Sequence, residues 1–343
     1  MPTKSKFSHR FLRTRRCFGI AAPAFLILMA CSAAVCAQPS GSLRRVGFLW
    51  IGTPDGSPSP SLAPFRDGMR ERGYVEGKNL VIDVRDGRGD VARLEPEAAS
   101  LVGSGVEIIV TQGSGPTAIA KQASSRVPIV FGAAGDPVGR GLVDSFARPG
   151  GNVTGRVIDL GWSKAYELLR DAAPTLRRVG LLFYAAGFPA GYQSLFLAQR
   201  KAAAEALGFE LTPLPVNSLD EVERALAGFA TAGGEALIVN GDPMLVTERR
   251  VVLPLALRYR LASACTDLRL PEAGCLITYG DDVNDSFRQA AGLVDRILKG
   301  AKPADLPIEQ PTKYMLIINA RTAKALALTI PSSILARADD VIE

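Results

Sequence analysis

Residues 106–155 read VEIIVTQGSGPTAIAKQASSRVPIVFGAAGDPVGRGLVDSFARPGGNVTG. The apolar run Val106–Val110 stops at Thr111-Gln112-Gly113-Ser114-Gly115, and a helical pattern opens at Pro116. A second run, Val127–Phe131, stops at Gly132-Ala133-Ala134-Gly135-Asp136-Pro137, and a further helical pattern is expected behind it. Short apolar strands that each end in a glycine loop opening a helix are the unit of a parallel α/β sheet. Such sheets bind ligands beyond the carboxyl ends of their strands, where helix N-termini leave N–H groups without partners. The site is therefore expected at these loops.

Upstream, Arg44–Trp50 reads as a buried strand and Ile51–Pro60 as a Gly/Pro/Ser-rich loop. A helix is expected through Phe65, Met69 and Arg72 to Gly73, then a strand at Asn79–Val84 and a helix at Leu94–Val102. Downstream, Gly155–Ala173 is expected to form a helix, with Leu160, Leu168 and Leu169 on one face. The chain then begins again. LRRVGFLW at 43–50 returns as LRRVGLLF at 176–183, and EIIVTQGS at 107–114 returns as EALIVNGD at 235–242. Two matches in the same order indicate two similar α/β lobes, at a period far longer than that of a solenoid. The tail reads as an amphipathic helix at Asp285–Lys299, a proline-rich connector at Lys302–Pro311 and a strand at Tyr314–Ile318. Short helices are expected at Arg321–Leu328 and Ser332–Ile342. It is too short for a third domain and must pack on the two lobes, with further crossings between them that make a hinge.

The N-terminus reads as an export signal, residues 1–37. Six cations and no acid occupy residues 1–16, an apolar run covers Cys17–Ala37, and Val35-Cys36-Ala37 precedes Gln38. Arg15-Arg16 is a partial twin-arginine pattern, and Leu28-Met29-Ala30-Cys31 resembles a lipobox, so soluble and Cys31-anchored forms both stay open. Of the 40 lysines and arginines, 34 remain beyond the signal, against 34 acids. The excess of positive charge belongs to the signal, and nothing supports nucleic-acid binding. His9, the one histidine, leaves with it. A mature domain without histidine lacks the commonest general base and metal ligand, which weighs against an enzyme; no cofactor and no metal site are expected. Ser114 has no histidine partner and no Gly-x-Ser-x-Gly elbow around it. GSGPTA at 113–118 imitates a dinucleotide fingerprint, but Pro116 is better placed as a first helical residue.

Several motifs carry a family resemblance. They are GYVEGKNL at 73–80, PIVF at 128–131 with Asp136-Pro137-Val138, RPGGNVTG at 148–155, ILKG at 297–300 with KPAD at 302–305, and the tail 322–343. Together they resemble the extracytoplasmic substrate-binding proteins of ABC importers, in the branch that includes tryptophan and tyrosine binders. The resemblance implies a type I periplasmic-binding fold: two Rossmann-like lobes with mostly parallel sheets, a ligand cleft between them and a hinge of three crossovers. Lobe 1 is then expected to hold 43–157 plus about 281–310, and lobe 2 about 158–280 plus 311–343. The implied function is a periplasmic, monomeric receptor that closes on a small solute and delivers it to a membrane permease. A ligand sensor serving a signalling receptor, and more remotely a secreted enzyme, are the alternatives.

Ser114 and Asp242 hold equivalent places in the two halves. Ser114 opens a helix suited to an anion, and Asp242 offers a carboxylate suited to an ammonium, a pairing that fits the zwitterionic end of an amino acid. Both residue types are also favoured N-caps. Asp136 and Asp267 end strands and are candidate cleft residues. Trp50, Tyr184 and Phe188 follow the first strand of each half and are candidate aromatic clamps, and Thr117 is a further candidate beside Ser114. Tyr279 is expected at a crossover. Cys265 and Cys275 are the thiols left after cleavage at Gln38, and in an oxidising compartment a disulfide is expected between them, although the ends of parallel strands tend to stand far apart.

Overall fold

The computed structural model describes residues 43–53, 56–158, 161–187 and 191–343. The expected export segment with Cys31, and also Leu160 and Phe188, lie outside the described residues.

The first half runs β1 (Arg44–Trp50), α1 (Leu62–Glu71), β2 (Leu80–Asp86), α2 (Leu94–Gly103), β3 (Ile108–Gln112), α3 (Ser114–Ala123), β4 (Ile129–Ala134) and β5 (Val153–Val157). The second runs α4 (Trp162–Ala172), β6 (Arg178–Tyr184), α5 (Tyr192–Ala206), β7 (Glu210–Val216), α6 (Leu219–Thr231), β8 (Ala236–Val239), α7 (Pro243–Thr247), α8 (Arg249–Arg258), β9 (Ala262–Cys265) and β10 (Ile277–Gly280). The tail adds α9 (Val283–Leu298), β11 (Met315–Asn319), α10 (Ala320–Leu326), α11 (Ser332–Leu335) and β12 (Asp340–Ile342).

Two sheets result. One has the order β2-β1-β3-β4-β5 and is parallel throughout. The other has the order β12-β11-β10-β9-β8-β6-β7, with an antiparallel pairing between β10 and β11. Every residue of β3, β4, β8 and β9 is buried, as expected of strands covered by helices on both faces. In the first sheet α1 and α9 pack one face, with Phe65, Met69 and Phe287 against Phe48 and Val110; α2 and α3 cover the other through Leu94, Leu101 and Ala120. In the second, α4, α5, α10 and α11 share one core and α6, α7 and α8 the other. Gly68 is what lets α9 lie so close to α1: a Cβ there would stand 2.1 Å from the Arg288 carbonyl oxygen.

The sequence repeat is a repeat of contacts. β1 lies between β2 and β3 just as β6 lies between β7 and β8. Glu107 accepts from the Arg45 N–H (3.1 Å), and Glu235 accepts from those of Arg177 (2.7 Å) and Arg178 (2.9 Å), one carboxylate steadying the start of each leading strand.

The chain passes between the sheets three times: after β5, between β10 and α9, and ahead of β11. This is the type I periplasmic-binding architecture with a three-crossover hinge. Tyr279, at the end of β10, stacks on Tyr314 with ring centroids 5.6 Å apart, at two of the crossings.

Three expectations need correction. Behind Asp136 the chain forms turns up to β5 and no helix, because Pro137, Gly139, Gly141 and Pro149-Gly150-Gly151 interrupt any helical run; Leu142 and Val143 are buried nonetheless. Residues 155–157, expected to begin a helix, belong instead to β5, which pairs with β4. In the tail, α11 stops at Leu335, and Asp340–Ile342 pairs in parallel with β11 while the Asp339 carboxylate accepts from the Leu316 N–H at 2.8 Å.

Candidate functional site

A cavity of about 140 Å³ lies between the two sheets, at the carboxyl ends of β3, β4, β6, β8 and β9. From the first lobe, the loop after β3 turns at Gly113, whose φ of 95° suits glycine, and α3 begins at once. Ser114, Gly115 and Pro116 line the cavity. No side chain caps this helix, so its first N–H groups look outward. The Ser114 hydroxyl itself is engaged: it donates to the Gly135 carbonyl (3.0 Å) and accepts from the Gly135 N–H (3.1 Å), stapling the loop after β3 to the loop after β4. What α3 offers a ligand is its backbone.

From the second lobe, Asp242 precedes α7 but its side chain does not cap that helix. Its Oδ2 accepts from the Tyr184 N–H at 2.8 Å, and the Asn240 side chain also bonds it. Burial pushes its pKa above the ordinary carboxylate range, against those two hydrogen bonds. The loops face each other closely, because Pro243 Cγ lies 3.7 Å from where a Cβ of Gly113 would stand. Tyr184 also lines the cavity; burial, then the Asp90 carboxylate, push its hydroxyl pKa up, so it remains a donor at neutral pH.

Asp136 does something the sequence did not reveal. It sits at φ 45° in the loop after β4; its Oδ1 accepts from the Gly139 N–H (2.9 Å) and its Oδ2 from the Tyr192 hydroxyl (2.8 Å). Tyr192 opens α5, on the other sheet, so this bond bridges the lobes at the rim of the cleft. Asp267 lines the cavity but is closed into a bidentate pair with Arg269, at 2.8 and 2.5 Å.

Two candidates fall away from the cavity. Trp50 is 2% exposed and belongs to the core under α1 and α9, because β1 turns it to that face. Thr117 is fully buried one turn into α3, where its hydroxyl meets that of Thr111 (2.7 Å) and donates to the Gly113 carbonyl (2.7 Å). It supports the loop from beneath.

The walls bring residues that sequence reading passed over. Trp162 at the start of α4 and Tyr192, Phe196 and Arg200 along α5 line one side, and Arg140 enters from the first lobe with its guanidinium 4.2 Å from the Tyr192 ring. The spacing of Tyr192, Phe196 and Arg200, four residues apart, was the available signal; it places all three on one helical face. Arg140 sits in irregular turns and gave none. The structure joins Cys265 and Cys275 by a disulfide with Cα atoms 6.5 Å apart. The loop after β9 brings Cys275 back beside the same strand, where the Leu276 N–H donates to Ser263 Oγ at 3.0 Å. Among the described residues no cluster of His, Cys, Asp or Glu has the make-up to hold a metal.

Two lobes with mostly parallel sheets, enclosing a cavity at their strand ends, are the architecture of type I periplasmic binding proteins. The sequence model for ABC transporter substrate binding proteins matches residues 61–342, and the chain belongs to that family. A tyrosine-binding protein of Clostridioides difficile (strain R20291) is 25% identical over 271 residues, 78% of this chain and 77% of that protein. Among solved structures, a Streptococcus pneumonia domain in complex with L-Trp superposes with a TM-score of 0.79 at 25% identity, covering 88% of this chain and all of that one. A conserved domain protein from Vibrio cholerae gives 0.80, with the same identity and coverage. Substrate-binding proteins of ABC importers are extracytoplasmic, and no described helix is long and apolar enough to cross a membrane.

Proposed function

We propose that the protein is the receptor of an ABC importer for a small amino-acid-like solute, held between lobe 1 (43–157 with about 281–310) and lobe 2 (about 158–280 with 311–343) and passed as a closed complex to a membrane permease. The observation that carries this reading is the opposition of Asp242 to the uncapped start of α3 across one cavity. A partly buried carboxylate seeks a cation, and a helix N-terminus seeks an anion. An α-ammonium and an α-carboxylate supply both on adjacent carbons. Trp162, Phe196, Ile158 and Val283 provide an apolar wall for a side chain. The tyrosine-binding relative and the L-Trp complex support a ligand of this class. Closure is the mechanism, because one lobe alone offers half of these contacts.

Calorimetry of wild type and Asp242→Asn against amino acids and their des-amino acids tests the assignment. The substitution is expected to weaken an amino acid by about 1.5–3 kcal/mol, the scale of a charged hydrogen bond, and to spare the des-amino acid. Equal effects on both would refute the role of Asp242.

A further inference from the structure

Arg200 lies on α5 in the cavity wall with 4% of its surface exposed. Its guanidinium carbon is 3.9 Å from the Trp162 ring centroid and 4.4 Å from that of Phe196. Aromatic rings attract the flat face of a guanidinium, but its N–H donors project in the plane, where rings do not satisfy them. Nε is buried and has no hydrogen-bond partner among the described residues. Elsewhere this protein gives a buried guanidinium a carboxylate: Arg156, 6% exposed, meets Glu309, and Arg269 meets Asp267. The carboxylates whose charge Arg200 feels form no ion pair with it among the described residues: Asp136 accepts from Tyr192 and Gly139, and Asp242 from the Tyr184 N–H. Arg140 converges on the same space from the other lobe, and the two like charges oppose each other. Burial, the largest influence, brings the Arg200 pKa down to about 10. A buried cation without an anion is unfavourable, and one that faces a ligand cavity is completed when the ligand brings the anion.

We propose that Arg200, with Arg140 opposite, is the subsite for a second anionic group on the ligand, which makes the solute an amino acid with a distal carboxylate. The inference rests on the reading of Asp242 and α3 given above: those groups satisfy the zwitterionic end, and Arg200 remains for the far end.

The test uses two matched pairs of probes in calorimetry with the purified protein: L-glutamate against L-glutamine, and 4-carboxy-L-phenylalanine against L-phenylalanine. In the pair that fits the cavity, wild type is expected to bind the acid at least about tenfold more tightly than its neutral partner. R200M keeps an unbranched stem against Trp162 and Phe196 but removes the charge, and is expected to bring that ratio to about one. Circular dichroism and the melting temperature of the unliganded variant report its folding, and the wild-type comparison needs no variant. Neutral probes binding as tightly as the acids, or R200M weakening both members of a pair by the same factor, would overturn the proposal. An Asp242→Asn variant that weakens no probe would instead refute the zwitterion reading while leaving the acid preference, and its loss in R200M, intact.

Discussion

Tyr192→Phe removes a hydroxyl that ties the rims of the two lobes. The Tyr192 hydroxyl donates to Asp136 Oδ2 at 2.8 Å, and burial, then that carboxylate, raise its pKa, so it is a donor throughout the neutral range. Removing the hydroxyl leaves the ring in place, 4.2 Å from the Arg140 guanidinium, and leaves Asp136 its bond from the Gly139 N–H, while the hydrogen bond shared with Arg140 goes with it. Hydrogen bonds to charged groups contribute about 1.5–3 kcal/mol, and Asp136 is partly open to solvent that would replace the lost donor, which selects the lower part of that range. A loss of about 1.5–2 kcal/mol confined to the closed lobes corresponds to about 10- to 30-fold in affinity. Titration calorimetry measures the affinity, and small-angle scattering of the ligand-saturated protein measures closure. An affinity within twofold of wild type would show that the bond does not stabilise closure.

Two further expectations follow from the same geometry. The raised pKa of Asp242 means that the folded chain holds this proton more tightly than the unfolded chain does, so its contribution to stability is present below the ordinary carboxylate pKa and is lost as pH rises through the raised value. An ammonium reverses that preference. Amino-acid binding should therefore release protons and strengthen with rising pH through that window, an effect absent in Asp242→Asn; buffers of different ionisation enthalpy detect it, and a pH-independent affinity contradicts it. Replacing both Cys265 and Cys275 by serine opens a loop with a sequence separation of 10, which loop-closure entropy values at about 2.5–3 kcal/mol. Denaturant unfolding should show this loss, and an unchanged midpoint would mean that the bond does not constrain the unfolded chain.

Much of the fold was legible because parallel strands buried on both faces read as unbroken apolar runs, and because Leu43–Trp50 and Leu176–Phe183 lead equivalent sheets. β5 was not legible: Val153-Thr154-Gly155-Arg156-Val157 is short and polar in the middle, and it is buried only because Thr154 donates to the Leu306 carbonyl (2.7 Å) and Arg156 meets Glu309 from the returning tail. Those partners are 152 and 153 residues away, beyond any local pattern. At the site, strand-end positions marked the right loops but could not give the direction of a side chain. Ser114 and Asp242 flank one cavity, yet Ser114 spends its hydroxyl on Gly135, and Trp50, at an equally plausible strand end, turns into the core. Arg200 was hidden for the opposite reason. An arginine on a helix ordinarily marks the solvated face, and only the tertiary placement of Trp162 beside α5 buries it.

The central claim, that the cleft takes a small molecule bearing both an ammonium and a carboxylate, is tested most directly by the ligand the protein carries when isolated under native conditions. Native mass spectrometry, followed by release and reaction with an amine-selective reagent, is expected to show a one-to-one complex whose ligand has a primary amine and ionises as an acid. A bound sugar, or a carboxylic acid without an amine, would contradict the account.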